Sequence, residues 1–499
     1  MGEAISTPHH IYPNSTVLAN RYSFSKPVIY EAEPILSRIS AGGIRMQKRD
    51  SYSKSEKSVI YTVIISSILP LLDGSIVNVI LPNLAHYFST GEKNIQWVVT
   101  SYFLATVPGL LMAAFLQGRI GVKKTWFLAN CIFMLGSLGV GLSNNFQSII
   151  SARIVQGFGT GLLLPLSQTI IALQFGQDRV RQAMGTIAVP TVFAPAFGPL
   201  VGASIAQYMS WRLLFFINIP LILLALAIGA KHLKTNETAK TKFNLLAFVT
   251  FSLSLISFFY LTEARNINNN TTIYTIALIA VISLIFFIVS NQKAKNKLIV
   301  FSGFTNVRYT VLMIMGLIAS FLFYSFLVYF PLARTTEEPH EKSLLIIGAL
   351  LALQGVGAWI GRKFIYQKWK EKSPFFMIGI GLLISSFGLL CFGYQTSMDG
   401  LGFLLRGIGL GITTIVCLSA PIQYVNPLYV KDTAVITRIL QQIGGALGGV
   451  FAGYLLHTLT KGVLSLNQTY LIFFLFSIAV FLLFCLTLFL SRKEKNADL

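Results

Sequence analysis

The sequence is poor in charge. Only 11% of its 499 residues are Asp, Glu, Lys or Arg, whereas soluble globular proteins carry about 25% of these residues. Hydrophobic residues make up 54% of the chain, and its mean hydropathy is +0.68. The composition therefore excludes an ordinary soluble domain.

Cysteine and histidine are also scarce, with four and six residues. The cysteines lie inside apolar runs without C-x-x-C spacing, so we interpret them as small buried hydrophobes, not disulfides or metal ligands. They are Cys131, Cys391, Cys417 and Cys485. Ser/His/Asp sets, phosphate-binding loops and dinucleotide fingerprints are missing at credible spacing. We therefore predict a protein that is not an enzyme and holds no metal and no cofactor.

The sequence does contain a series of apolar runs of roughly 20 residues, the length with which a helix crosses a bilayer. These runs are continuous and too long for the alternating strands of a membrane barrel. They predict an all-α polytopic membrane protein with fourteen transmembrane helices. The predicted spans are 58–82, 97–117, 125–144, 147–173, 182–207, 213–230, 243–262, 272–290, 310–332, 343–361, 374–394, 400–421, 432–458 and 468–490.

The net charge of +21 does not indicate nucleic-acid binding, because the 39 Lys and Arg residues are unevenly distributed. With the N-terminus in the cytoplasm, 22 of them lie in cytoplasmic loops and the C-terminal tail, 8 in the N-terminal tail and 6 in outer loops. Positive charge on the cytoplasmic side is the usual orientation signal of membrane proteins. We expect both termini in the cytoplasm, and we interpret the basic clusters at 231–242 and 362–372 as orientation signals.

Two stretches of the chain echo each other. The fourth span begins "ARIVQGFGTG" and the twelfth contains "LLRGIGLGI", so Arg153 and Arg406 each precede a series of small residues. The next span is glycine-rich in both cases, with "APAFGPLVGAS" in the fifth and "QQIGGALGGVFAG" in the thirteenth. Such echoes are typical of transporters in which two related bundles hold a substrate site between them.

These patterns predict six segments along the chain. Met46 opens a short basic leader before the first span, so a start at Met46 and a genuine longer tail both stay open. The predicted segments are a disordered cytoplasmic tail at 1–57, a six-helix bundle at 58–230, a cytoplasmic linker at 231–242, an inserted helix pair at 243–290, a second six-helix bundle at 291–490 and a cytoplasmic tail at 491–499.

Asp73 is the one acid predicted to lie deep within a span. An ionised carboxylate in hydrocarbon costs several kcal/mol unless it is paired, hydrated or protonated. In a cavity that opens to each side of the membrane in turn, its exposure changes with conformation, so the group can bind and release a proton. Proton or substrate-cation coupling and a structural acid that bonds backbone beside Gly74 both stay open.

Several motifs resemble the fourteen-span drug/proton antiporter branch of the major facilitator superfamily, of the multidrug efflux type. The first span carries "LDGSIVNVILP" from Leu72, which is similar to the branch pattern L-D-x-T-I-V-N-V-A-L-P. The fourth carries "RIVQGFGTG", which fits R-x-x-Q-G-x-G. The other matching stretches are "QWVVTSYFLA" at 96–105, "GPLVGA" at 198–203, "WRLLFFINIP" at 211–220 and "RILQQIGGALG" at 438–448. The resemblance implies the major facilitator fold, with two six-helix bundles and two inserted helices.

The loop after the second span departs from the family pattern. The branch carries G-x-L-A-D-R-x-G-R-K here, whereas this chain has "AFLQGRIGVKK", with Ala114 and Gly118 in place of the Gly and the Asp. Arg119, Gly121 and Lys123 are retained. The charge relay that helps to lock one gate in the family is therefore not expected to be intact.

The resemblance and the polar residues within spans supply the candidate site. Because the family packs the first span against the fourth, we expect Asp73 and Arg153 to form the proton-coupling pair. The alternative for Arg153 is a fixed counter-charge or carbonyl clamp with no role in turnover. Candidates for the substrate cavity are Asn78, Tyr102, Gln156, Gln168, Tyr324, Gln354, Arg406, Arg438, Gln441 and Gln442. Candidates for close helix packing and gating are Gly157, Gly161, Gly198, Pro199, Gly202, Gly445 and Gly449.

These features together predict a proton-coupled secondary transporter that exports lipophilic or cationic small molecules by alternating access. Its expected partners are a small-molecule substrate, protons and the lipid bilayer, with no nucleic acid; an accessory periplasmic adaptor stays open. The expected location is the bacterial inner membrane. A dedicated metabolite or siderophore transporter of the same fold and a non-transporting membrane receptor are the alternatives.

Overall fold

The computed structural model describes residues 52–235, 238, 242–262, 270–337, 343–366, 368, 372–392, 398–425, 429–462 and 465–497. Within these ranges the chain is helical and contains no β-strand. Helices satisfy every backbone hydrogen bond inside one segment, which is the requirement that hydrocarbon imposes on a spanning chain. The predicted tail at 1–57 lies outside the described residues up to residue 51, as does most of the linker from 236 to 241.

Fifteen α-helices are numbered in chain order over the described residues. Those before the linker are α1 (Lys54–Tyr87), α2 (Glu92–Ile95), α3 (Trp97–Ile120), α4 (Val122–Gly141), α5 (Phe146–Tyr208), α6 (Leu213–Phe216) and α7 (Asn218–His232). Those after it are α8 (Leu245–Leu261), α9 (Asn270–Lys293), α10 (Val307–Glu337), α11 (Ser343–Ile360), α12 (Pro374–Leu390), α13 (Asp399–Ser419), α14 (Val430–Thr460) and α15 (Leu466–Ala497). A π-helical turn, Gly361–Tyr366, continues α11.

Each predicted span falls on a helix. By length and hydropathy, nine helices of the described chain qualify as membrane-crossing, and three shorter apolar helices lie at Leu245–Leu261, Pro374–Leu390 and Asn467–Leu482. The remaining two predicted spans lie on α4 and on the second part of α5. The all-helical polytopic class is confirmed, and the count of fourteen spans stays a prediction.

The fourth and fifth spans were expected as separate helices, and the range of α5 covers both of them as two helical stretches that meet at a kink. Its one non-helical residue within the run is Gly176, with φ of 66° and ψ of −177°. Positive φ is strained for residues with a Cβ atom and costs glycine little, so Gly176 supplies the break between the two spans. The start of α5 is set by a capping box, in which the side chain of Asn145 accepts from the Ser148 N–H.

The helices pack as two halves with the α8–α9 pair beside them. In the first half α5 packs against α1, α3 and α4, and in the second α10 packs against α14 while α13 packs against α11 and α12. The halves meet through α3 with α14, α5 with α11, and α1 with α10. Phe251 and Phe287 of the pair join one apolar cluster with Leu110 of α3 and Met313 of α10, so the pair contacts both halves.

Candidate functional site

Asp73 and Arg153 form an ion pair in the interior of the first half. Asp73 lies on α1 with 4% of its surface exposed, and Arg153 lies on α5 and is fully buried. The guanidinium binds Asp73 through Nη1, and its Nε donates to the backbone carbonyl of Val98 at 3.0 Å. Arg153 also lies over the ring of Tyr102, with 4.1 Å from Cζ to the ring centroid. The expected contact between these two charges is present in the structure.

Gln156 joins the pair as a third member. Its amide nitrogen donates to Asp73 Oδ1 at 2.9 Å and to Ser137 Oγ at 2.8 Å, and its carbonyl oxygen accepts from Arg153 Nη1 at 2.6 Å. Asn218 of α7 reaches the same Ser137 hydroxyl at 3.2 Å. The charges are therefore embedded in a hydrogen-bonded network that draws on α1, α3, α4, α5 and α7.

Tyr102 connects this network to the helix backbones. Its hydroxyl donates to the Pro70 carbonyl at 3.1 Å and lies 2.9 Å from the Thr160 hydroxyl. Asn78, by contrast, bonds within its own helix: its amide nitrogen donates to the Gly74 carbonyl at 2.8 Å, and its buried carbonyl oxygen has no partner among the residues described. Three of the cavity candidates, Asn78, Tyr102 and Gln156, are thus buried inside the first half, and their contact with substrate stays a prediction.

Glycines allow α3 and α5 to approach closely beside the ion pair. A Cβ atom at Gly157 would lie 2.3 Å from the Tyr102 carbonyl oxygen, and one at Gly161 would lie 2.1 Å from that of Thr106. Real Cβ atoms do not approach oxygen so closely, so only glycine fits at either position. The small-residue ladder therefore holds α3 and α5 in backbone contact.

The other packing candidates lie at helix contacts as well. Cβ atoms at Gly198 and Gly202 would meet Ser75 Oγ at 2.0 Å and Val79 Cγ1 at 3.0 Å, both on α1. Pro199 is buried, and its carbonyl lies 2.9 Å from a Cβ built on Gly348 of α11.

The remaining pair, Gly445 and Gly449, lies on α14 against α3 and α10. A Cβ at Gly449 would come within 2.7 Å of Thr100 Oγ1, and one at Gly445 within 3.1 Å of Tyr324 Cδ2 and 3.5 Å of Phe103. The contacts of Gly449 with Thr100 and of Gly445 with Phe103 cross between the halves, and the first of them lies at the end of the molecule opposite the start of α1. The contact of Gly445 with Tyr324 lies within the second half.

Arg406 repeats the position of Arg153 in the second half but not its pairing. It is 1% exposed, donates through Nη2 to the Leu322 carbonyl, and lies over the Phe326 ring with Cζ 4.3 Å from the centroid. Its Nε and Nη1 have no hydrogen-bond partner among the described residues. The repeated pattern therefore contains the arginine and the small residues in both halves, but in the second half a backbone carbonyl takes the place of the carboxylate.

The other cavity candidates differ in burial. Gln354 is 1% exposed, and within the described part of the chain neither polar atom of its amide has a hydrogen-bond partner. Tyr324, Arg438, Gln441 and Gln442 are half-buried, and Gln168 is exposed. The charge of Arg438 acts on the Tyr324 hydroxyl, so α10 and α14 bring these two candidates together.

Two charged features of the second half did not appear among the candidates. Asp399, predicted at a span edge, is 4% exposed and binds Arg334 at 2.9 Å. Arg362, assigned above to a basic orientation cluster, lies on the π-helical turn and donates to Thr414 Oγ1 at 3.2 Å. A hint for Arg362 was available in its position, since it directly follows the apolar residues of a span. As for metals, the described residues bring no three His, Cys, Asp or Glu side chains together as a ligand group.

Comparison with known proteins gives a consistent result. The family model of the Major Facilitator Superfamily matches residues 63–449. The chain is 24% identical over 406 residues to a Multidrug resistance protein B homolog of Mycobacterium tuberculosis, which covers 79% of this chain and 75% of that protein. It is 26% identical over 427 residues to the Multidrug efflux pump SdrM of Staphylococcus aureus, covering 82% and 92%. A crystal structure of the nucleoside transporter NupG superposes with a TM-score of 0.63 at 14% identity, covering 86% of this chain and 99% of that one.

Proposed function

The chain belongs to the Major Facilitator Superfamily and is a multi-pass membrane protein of that transporter fold, and from this premise we propose that it is a proton-coupled exporter of lipophilic small molecules. The two halves, with the α8–α9 pair as an insertion, would act as the two rocking bundles of an alternating-access transporter. The relatives' names, multidrug resistance and multidrug efflux, support a lipophilic substrate.

The observation that carries the proposal is the buried Asp73–Arg153 pair. A carboxylate held by a guanidinium and an amide is stable while both are in place, but it gains proton affinity if the partners move away. In the proposed cycle, a proton that enters from outside neutralises Asp73 and releases Arg153. Return of Arg153 then expels the proton on the cytoplasmic side.

The energetics are sufficient for export. One proton that moves inward across 100 mV releases about 2.3 kcal/mol, and one unit of pH difference adds roughly 1.4 kcal/mol. The sum of ~3.7 kcal/mol sustains a concentration ratio of roughly 500-fold per proton. One proton for each substrate can therefore drive export against a steep gradient.

The inter-half contacts support an inward-facing state. Thr100 lies against Gly449, and Ala203 lies against Gly348, where a Cβ would come within 2.5 Å. Both contacts lie at the end opposite the start of α1, which is the outer end if the N-terminus is cytoplasmic as the charge distribution predicts. We place the protein in a bacterial inner membrane with both termini in the cytoplasm.

The test is a susceptibility panel in a bacterial host that lacks its main efflux pumps. Expression should raise the tolerated concentration of several unrelated lipophilic compounds, and a protonophore should abolish dye efflux. A raised tolerance that is confined to one metabolite would favour a dedicated transporter. If no compound is exported while the protein is in the membrane, the proposal fails.

A further inference from the structure

Arg362 and Arg438 form a second charged cluster in the described chain, distinct from the Asp73 network. Arg438 lies on α14, eight residues after its start, and Arg362 lies on the π-helical turn Gly361–Tyr366 that follows α11. Both are half-buried, and their charges act on each other and on the hydroxyl of Tyr324 from α10. The π-helical turn, α14 and α10 of the second half thus bring two guanidinium groups and one phenol hydroxyl close enough to interact.

The two cations are not neutralised by the described residues around them. Neither Arg362 nor Arg438 forms an ion pair there, and within the described chain the guanidinium of Arg362 donates to the neutral hydroxyl of Thr414 at 3.2 Å. The Nε atom of Arg362 is buried and has no hydrogen-bond partner in the part of the chain that the structure describes. Two like charges close together in a low-dielectric region are unfavourable unless an anion lies between them.

Aromatic side chains from both halves lie next to the cluster. Trp359, one turn before Arg362, packs against Phe193 of α5 with 5.3 Å between ring centroids. Tyr324 packs against Phe103 of α3 at 4.5 Å. The cations are therefore at the seam between the halves, where a substrate with an apolar body and a charged end would meet both kinds of surface.

Arg362 and Arg438 also differ from the other arginines buried in the spans. Arg153 forms an ion pair with Asp73. Arg406 is 1% exposed, donates to the Leu322 carbonyl and packs over the Phe326 ring. Arg362 and Arg438 are instead half-buried, and they lie toward the end of the molecule at which α1 begins. In the inward-facing state proposed above, an export substrate would enter from that end.

We propose that Arg362 and Arg438, with the hydroxyl of Tyr324, bind the carboxylate or a similar anionic group of an amphipathic aromatic acid that the protein carries. This subsite rests on the transport function proposed above and specifies its substrate class. It also replaces the expectation of a cationic substrate, because a cation would have to displace Arg153 to reach Asp73. The paired N–H donors of a guanidinium can bind both oxygens of a carboxylate, and the aromatic rings can pack against the apolar body of the acid.

The experiment measures binding of three matched probes to the full-length protein in nanodiscs of zwitterionic lipid. The probes are naphthaleneacetate, its neutral amide and the naphthylmethyl-trimethylammonium cation, and affinity is measured by titration calorimetry. The variants are Arg362→Gln and Arg438→Gln, with Arg308→Gln as the matched control because Arg308 is exposed at the start of α10. Retained binding of the amide shows that a variant is folded.

The acid should bind the wild-type protein more tightly than the amide and the cation. Each single variant should lose roughly 10-fold or more in affinity for the acid, as expected when a charge-assisted hydrogen bond is removed, while the amide is unaffected. Equal affinity for acid and amide, or unchanged acid binding in both variants, would overturn the inference. Loss of acid binding when anionic phosphatidylglycerol is added to the nanodiscs would contradict it too, because a lipid headgroup would then be the occupant.

A parallel efflux assay separates this inference from the proposed function. If the wild type exports a neutral lipophilic dye in a protonophore-sensitive manner but does not prefer the acid, the subsite is wrong and the transporter stands. If the acid binds through both arginines but nothing is exported, the transport proposal fails and the anion site stands.

Discussion

The strongest quantitative prediction concerns the coupling between Asp73 and Arg153. Removing one partner of a buried ion pair typically costs about 3–5 kcal/mol, because the other charge is left without compensation. The destabilisation by Arg153→Gln should lie at the upper end of this range, since the Asp73 carboxylate would keep only its hydrogen bond from the Gln156 amide. Asp73→Asn should lie at the lower end, since Arg153 keeps the Val98 carbonyl, Gln156 and the Tyr102 ring.

The double variant should be less destabilised than the sum of the two single variants. We expect a coupling energy of about 2 kcal/mol or more, measured as the free energy of unfolding in mixed micelles titrated with sodium dodecyl sulfate. The matched control is Glu56–Arg179, a pair at 2.6 Å whose side chains are 24% and 33% exposed. Its coupling should be about 0–1 kcal/mol because solvent screens it. If the Asp73–Arg153 cycle is additive, the pair is not energetically coupled and the reasoning is refuted.

Three further predictions follow from packing and topology. Gly161→Ala should lower the free energy of unfolding by about 1–3 kcal/mol through overpacking. Its control, Gly185→Ala, should be neutral because a Cβ there meets nothing within 4 Å. Equal effects of the two changes in the same micelle titration would contradict the close packing of α3 and α5. Deletion of residues 1–45 should leave insertion and export intact, since the segment carries no apolar periodicity; loss of either in the susceptibility assay would make it functional. Reporter fusions within 231–242 and at the C-terminus should both report the cytoplasm, and a C-terminus outside would overturn the topology.

Much of the fold could be predicted because the bilayer restricts it so strongly. A run of about twenty apolar residues has only one way to satisfy its backbone in lipid, and each predicted span falls on a helix. The contact between Asp73 and Arg153 could be predicted because the family resemblance places α1 beside the start of α5. The division between the fourth and fifth spans could be predicted as well, but the sequence did not show that the break is confined to the single residue Gly176.

The second half was harder to predict, because its polar groups depend on side-chain geometry. Arg362 belongs to a basic run whose charges indicate orientation, and only its place directly after the apolar residues of a span separates it from Lys363, which is exposed. The different environments of Arg153 and Arg406 depend on residues from α1 and α10 that are distant in sequence. A repeat motif predicts where an arginine lies, but its partner comes from another helix.

The central claim is that Asp73 is the proton-carrying group, and proton movement in proteoliposomes tests it most directly. A pH indicator inside the vesicles is followed when a compound that the wild type exports is added. The measurement is made on the wild type, on Asp73→Asn and on the control Asp399→Asn. The control removes the ion pair with Arg334 in the second half. Asparagine keeps the size and hydrogen-bonding capacity of Asp73 but cannot take up a proton. The account predicts substrate-dependent proton movement in wild type and Asp399→Asn, and none in a folded, membrane-inserted Asp73→Asn protein. Proton movement at the wild-type rate in Asp73→Asn would contradict it and make the acid structural.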